Sequence, residues 1–195
     1  VMRLVTPDGQ APQTSPLRQA LAQKKAVEPT RGVLLHRTSG QRFDVEETAS
    51  PITDRHGHIT GAVAVLRDVT ESVAMAERMA HLAQYDALTD LPNRLLLQDR
   101  ARQALAHARR DGKSVAVMYI DLDGFKQVND AMGHDVGDQL LVQWAKRLQA
   151  AVRQTDTVCR QGGDEFVLVL PGIHTAEQAT VVARKIMQQC AAPFV

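Results

Sequence analysis

Two short acidic stretches, each set against an apolar run, constrain this chain more than any other feature. Asp121-Leu122-Asp123-Gly124-Phe125-Lys126 follows the run Val115 to Ile120, and Gly162-Gly163-Asp164-Glu165 leads into the run Phe166 to Leu170. Short β-branched and apolar runs bounded by turn residues read as buried strands. If the two strands are neighbours, both acidic stretches lie at one end of a sheet, and the carboxylates of Asp121 and Asp164 can share a divalent metal. Magnesium and manganese prefer oxygen ligands, commonly one or two carboxylates completed by substrate phosphates. The pattern therefore predicts a metal site that holds a nucleoside triphosphate. Gly162 and Gly163 keep the turn free of Cβ atoms, so that phosphates can approach the backbone. The amides that open the next short helix, with Lys126 beside them, can receive phosphate oxygens. Either stretch alone reads equally well as a helix cap or an ordinary hairpin turn; their joint occurrence favours the metal site.

The surrounding sequence alternates helix and strand. Asn93 can cap a helix with the apolar stripe Leu97, Ala101, Ala104, Leu105 and Ala108, ending at Gly112. Val115 to Ile120 is then a buried strand, and Phe125, Val128 and Met132 mark a short helix stopped by Gly133. A longer helix carries Leu140, Leu141, Trp144, Ala145, Leu148 and Val152 on one face. Thr157 to Arg160 and Phe166 to Leu170 form a hairpin around Gly162 and Gly163. Thr175 and Gln178 form a capping box for a last helix. The order α-β-α-α-β-β-α predicts an α/β sandwich with mixed strand directions.

Upstream, the chain changes character. Residues 1–30 are rich in Pro, Gln and Ala, with a short helical candidate from Pro16 to Lys24. Val33 to His36, the alternating Phe43, Val45 and Glu47, and Ile59 to Leu66 read as three strands joined by tight turns, an antiparallel meander. From Thr70 to Tyr85 turn residues vanish, and Val73, Ala76, Ala80 and Ala83 recur at spacings of three and four. This predicts a connecting helix, either a short parallel coiled coil or a solvated linker.

Charge and composition exclude several classes. A formal net charge of +1 offers no positive excess to track a polynucleotide, so nucleic acid is not an expected partner. No apolar stretch nears the ~20 residues that span a bilayer, and the amino terminus shows no signal-peptide pattern. Cys159 and Cys190 lack zinc-ligand spacing and read as buried apolar residues in a reducing cytoplasm.

Five stretches in order carry a family resemblance: Asp86-Ala87-Leu88-Thr89-Asp90-Leu91-Pro92-Asn93-Arg94, Asp121 to Lys126, Asn129-Asp130, Gly133-His134-Asp135-Val136-Gly137-Asp138, and Gly162 to Phe166. The segment from Asp86 onward resembles the GGDEF family of diguanylate cyclases. The resemblance implies a palm-like nucleotide cyclase sandwich in which two domains meet as a homodimer, each holding one GTP, and form cyclic di-GMP with release of pyrophosphate. It implies metal binding by Asp121, the carbonyl of Leu122 and Asp164, with Glu165 as a further metal or base carboxylate. Asn129 and Asp138 are expected to read the guanine edge with His134 nearby, while Phe125, Lys126, Gly162 and Gly163 surround the phosphates. Arg153-Gln154-Thr155-Asp156 is similar to the family's RxxD product-inhibition site, an arginine and a carboxylate suited to phosphate and base. For each of these residues the structural reading stands beside it: a solvated Asn129, a His134 satisfying its loop, an Asp138 favouring a helix dipole, and a surface pair at Arg153 and Asp156.

The three upstream strands, closing on Arg67-Asp68-Val69-Thr70, resemble the carboxyl-terminal half of a PAS sensory domain. The expected organisation is a partial PAS region over 1–69, a signalling helix over 70–84, and a GGDEF domain over 85–195 that stops short of the family's final strands and helix. The leading expectation is a metal-dependent cyclase controlled by the sensor. The alternative is a catalytically silent GTP-binding module that regulates an attached EAL-type phosphodiesterase domain, as in relatives with the phrase Leu91-Pro92-Asn93-Arg94. A third possibility is a sensory fragment whose ligand binds the PAS part.

Overall fold

Tight turns and β-branched runs generate the amino-terminal sheet. Its strands are β1 (Met2–Val5), β2 (Val27–His36), β3 (Arg42–Thr53) and β4 (Ile59–Asp68), paired antiparallel in that order. The computed structural model describes residues 2–6, 15–36 and 38–194. Part of the Pro/Gln/Ala-rich stretch, residues 7–14, lies outside the described residues. At the β3–β4 turn, Asp54 Oδ1 accepts from the amides of His56 and His58, both at 2.8 Å, while Gly57 takes φ +84°. The meander expected over three strands gains a fourth, β1, whose register runs from Met2 opposite His36 to Val5 opposite Val33. A four-residue strand carries too few alternating positions to stand out.

Helix α1 (Pro16–Gln23) packs on β3 and β4, burying Ala20 with Val33, Val45 and Ala49. Glu47 shares that inward row and is only 6% exposed, and burial pushes its carboxyl pKa up.

Helix α2 (Thr70–Gln84) spans the boundary between two units, residues 1–79 and 80–195. Its first turn is anchored where the Thr70 hydroxyl accepts from the Asp44 amide at 2.9 Å and donates to Asp68 Oδ1 at 2.7 Å. No residue of α2 is buried. Among the described residues, no helix is long and apolar enough to cross a membrane.

The second unit contains α3 (Arg94–Asp111), β5 (Ser114–Ile120), α4 (Phe125–Met132), α5 (His134–Ala151), β6 (Thr157–Gly162), β7 (Glu165–Ile173) and α6 (Ala176–Cys190). Asn93 caps α3 by accepting from the amides of Leu95 at 2.9 Å and Leu96 at 3.2 Å, and Gly112 ends it with φ +65°. The sheet order is β5-β7-β6, both pairings antiparallel.

Central position explains the burial of β7 on both faces. Phe166, Leu168 and Leu170 meet Leu141, Trp144, Leu148 and Ile186 on one side. Val167 and Val169 meet Leu97 and Cys159 on the other. Each such side chain contributes about 1.5–3 kcal/mol through burial.

Two local expectations are corrected. Strand β5 is only half-buried: Val117 and Tyr119 are 54% and 77% exposed, because β5 is a sheet edge and the α3 side chains reach β7 and β6 beyond it. The capping box at α6 does not close. Thr175 makes no side-chain cap bond, and Gln178 Oε1 accepts from the amide of His174 at 2.8 Å rather than from that of Thr175.

Candidate active site

Strand register assembles the site. Ile120 lies opposite Phe166 in the antiparallel β5–β7 pair, so the chain leaves β5 at Asp121 just where Asp164 and Glu165 enter β7. Gly162 pairs with Glu165, which makes Gly163 and Asp164 the two central residues of a tight hairpin. Gly163 takes φ +55° and Asp164 is not among the positive-φ residues, the pattern of a type II′ turn with glycine first. Asp164 thus sits at the hairpin tip, at the sheet end where Asp121 emerges. Asp121, Asp123 and Glu165 are exposed and Asp164 is half-buried, which leaves carboxylate oxygens open to solvent cations.

The remaining residues of the acidic stretch divide between core and surface. Leu122 and Phe125 pack against the core, and the Phe125 amide donates to the Leu122 carbonyl at 3.1 Å. A carbonyl oxygen has two lone pairs, so Leu122 retains acceptor capacity. Lys126 is exposed at the start of α4. Among the described residues no group of three or more His, Cys, Asp or Glu gathers into a ready metal cluster. Asp121, Asp164 and the Leu122 carbonyl are the candidate donors at this sheet end, a set that would leave positions for ligand phosphates and would fit magnesium better than a closed zinc-type cage.

Asn129 supplies the most specific local signal. Its Oδ1 is buried without a hydrogen-bond partner, an arrangement that costs about 1–3 kcal/mol unless a ligand donor repays it. The side chain lies directly over Gly137 of α5, where a Cβ would collide with Oδ1. Gly137 therefore makes room for Asn129. Asp138 and His134 are exposed on the first turns of the same helix.

Arg153 and Asp156 stand on the loop from α5 to β6. Asp156 Oδ2 accepts from the Arg153 amide at 2.9 Å and the Asp156 amide donates to the Arg153 carbonyl at 3.0 Å, a closed turn. Both residues line a cavity of about 260 Å³ together with Arg100 and Gln149. A larger cavity of about 500 Å³, between β5, α5 and α6, touches the acidic end of the sheet only at Asp121.

Residues 83–195, over half of the chain, match the family model for the diguanylate cyclase GGDEF domain. The chain belongs to the GGDEF family. Residues 2–71 match a PAS domain model. The chain is similar, at 49% identity over 63% of its length, to the bifunctional diguanylate cyclase/cyclic di-GMP phosphodiesterase MucR of Pseudomonas aeruginosa. It is 38% identical over 84% of its length to the probable diguanylate cyclase DgcE of Escherichia coli. The chain spans 18% of MucR and 15% of DgcE. Among solved structures, a sensory box/GGDEF family protein from Caulobacter crescentus superposes with TM-score 0.54 at 43% identity, covering 57% of this chain and 73% of that one.

Within the GGDEF unit, sequence reasoning missed two residues that the fold brings against the hairpin. Arg160 Nη1 contacts both carboxylate oxygens of Asp86 at 2.9 and 3.2 Å, while Nε and Nη2 donate to the Gly163 carbonyl at 2.9 and 2.8 Å. Asp86 also accepts from the Thr89 amide at 2.9 Å and hydroxyl at 2.6 Å. Burial is the largest influence on Asp86 and raises its pKa, but the Thr89 bonds and the Arg160 guanidinium together hold it below the usual carboxylate value. The two residues are 74 positions apart, and no local pattern links them. Cys159, fully buried beside this pair, has its thiol pKa pushed up to about 12 by burial and then by the Asp86 charge, which favours the neutral thiol.

Proposed function

We propose that the chain is a diguanylate cyclase module that condenses two GTP into cyclic di-GMP and pyrophosphate at a homodimer interface. The observation that carries this reading is the β5–β7 register, which supports convergence of Asp121 and Asp164 at one sheet end. In this reading Asp121, the Leu122 carbonyl and Asp164 hold magnesium or manganese, with Glu165 alongside as a further metal or base carboxylate. When bound, such an ion neutralises phosphate charge and lowers the cost of forming an oxyanion nucleophile.

The chain's own residues supply the rest. Asn129 Oδ1, buried and unpaired, accepts from the guanine edge, whose N–H donors adenine lacks in that arrangement, and Asp138 accepts alongside with His134 near the base. Gly162 and Gly163 admit the triphosphate to the hairpin, and Lys126 with the opening turn of α4 adds positive potential. Each copy of the GGDEF region contributes half of a reaction centre, so in-line alignment of a 3′-hydroxyl with an α-phosphate depends on how two copies meet. The proposed organisation is a PAS-like region over 1–69, a signalling helix over 70–84, and a GGDEF region over 85–195, with the first controlling the last through α2. Product binds at Arg153 and Asp156 and inhibits turnover. The setting is the cytoplasm, where GTP is found.

Incubation of the full chain with GTP and magnesium, followed by chromatography, tests the reading. Cyclic di-GMP is expected, and Asp164→Asn should lower its formation by at least about 100-fold, in line with loss of a charge-stabilising group. Unchanged product in Asp164→Asn overturns the metal assignment. Bound GTP with no product selects instead a regulatory module for an attached phosphodiesterase domain, the pairing that MucR's name describes.

A further inference from the structure

We infer that Arg160 is a positioning residue that holds the Asp164 turn in shape and connects it, through Asp86, to the carboxyl-terminal end of helix α2. The inference deepens the cyclase reading and rests on it for its catalytic consequence.

The geometry separates this role from that of an ordinary ion pair. Attraction to Asp86 uses Nη1 alone, at 2.9 and 3.2 Å. Two further donors, Nε and Nη2, converge on one acceptor, the carbonyl of Gly163, at 2.9 and 2.8 Å. That carbonyl belongs to the peptide joining Gly163 to Asp164. A planar trans peptide with its oxygen held on one side turns the Asp164 amide to the other and sets the direction of the Asp164 side chain. The restraint matters because Gly162 and Gly163, at φ +145° and +55°, occupy the most permissive backbone in the hairpin. Hydrogen bonds from a charged donor are about twice as strong as neutral ones.

The other half of the fork is equally fixed. Asp86 closes the turn that follows α2: its amide donates to the Leu91 carbonyl at 2.8 Å, and Thr89 binds its carboxylate. Asn93, at the end of that turn, donates from Nδ2 to the Ala83 carbonyl at 3.0 Å and from its amide to the Gln84 carbonyl at 2.8 Å, capping the last turn of α2. The Arg160 amide meets the Pro92 carbonyl at 3.1 Å. A shift in the end of α2 therefore moves Asp86 and, through one guanidinium, the peptide beside Asp164. With an exposure of 11% for the Arg160 side chain and 21% for Asp86, the pair is shielded enough to transmit such a shift rather than dissolve into water.

Backbone ¹⁵N relaxation in the nucleotide-free full chain tests the positioning directly, with metal requirement and melting temperature measured on the same samples. In the wild type the amides of Gly163, Asp164 and Glu165 should show strand-like order parameters of about 0.85, and in Arg160→Gln they should fall below about 0.6. Arg160→Lys can still pair with Asp86 but cannot fork to the carbonyl. It should retain the melting temperature yet show the same loss of order, with at least a tenfold rise in the magnesium concentration needed for half-maximal GTP binding, about the effect of one lost preorganising contact. Asp86→Asn should loosen the turn less, and the double variant Asp86→Asn with Arg160→Gln should be no worse than Arg160→Gln. Unchanged order at residues 163–165 in Arg160→Lys, or a loss spread evenly over the unit, overturns the inference. Failure of the wild type to bind GTP would overturn the cyclase reading and leave the relaxation result to decide this one.

Discussion

The central strands of the two sheets, β3 and β7, solve burial differently. In β3 the buried residues alternate, Val45, Glu47 and Ala49 facing α1 while their neighbours are half-covered. In β7 five consecutive residues from Phe166 to Leu170 are at most 2% exposed, because helices cover both faces. A sheet covered on one face tolerates polar chemistry along its strands, whereas a sheet covered on both becomes a rigid platform. The acidic hairpin is mounted on the rigid one. A site whose carboxylates must hold one geometry gains from being anchored to the least deformable strand.

The contrast breaks most sharply in the core. Leu168→Ala, at a fully buried position of β7, should lower unfolding stability by about 3 kcal/mol through lost transfer energy and a cavity. Val65→Ala on β4, where Val65 is 59% exposed, should change it by less than about 0.5 kcal/mol. Urea titration of each variant checks both. Similar midpoints for the two would mean that the second sheet is not the better-packed platform.

A finer test asks whether that packing serves recognition. Alanine normally stabilises a helix interior by about 1 kcal/mol over glycine. At Gly137 the added methyl would meet Asn129 Oδ1 and push that side chain aside. Gly137→Ala should therefore leave the melting temperature nearly unchanged while weakening GTP binding about tenfold and narrowing the preference for GTP over ATP, the scale of one mispaired polar contact. Equilibrium binding of both nucleotides reads this out. Retained preference would return Asn129 to a structural role.

Local chemistry was legible and distant chemistry was not. Asn93 and Gly112 announced the ends of α3 because caps are written within a few residues. The acidic stretches announced themselves because a strand end and a glycine turn have short signatures, and the antiparallel β5–β7 pairing then joined them. The half-exposure of β5 could not be read from Val115 to Ile120, since an edge strand and a central one can share the same apolar run. The Arg160–Asp86 pair was hidden by a separation of 74 positions, and the unpaired Asn129 Oδ1 shows only with Gly137 beneath it. Sequence periodicity locates elements; which side chain meets which across elements is decided by packing.

The smallest expected effect lies in the one-sided sheet. Glu47 is buried in the row facing α1, and burial alone raises its pKa above the ordinary carboxylate value. The folded state therefore holds the Glu47 proton more tightly than the unfolded chain does. Its contribution to stability is fully present below the unfolded pKa of about 4.3 and is lost as pH rises through the higher folded value. Glu47→Gln keeps the volume and removes the charge, so it should raise the melting temperature of the amino-terminal unit by a few degrees at pH 8, with the gain shrinking toward pH 4. A calorimetric pH series checks the sign. A gain that is constant with pH would show that Glu47 reaches water on the face away from α1, and that even the inward row of β3 is more open than the corresponding rows of β7.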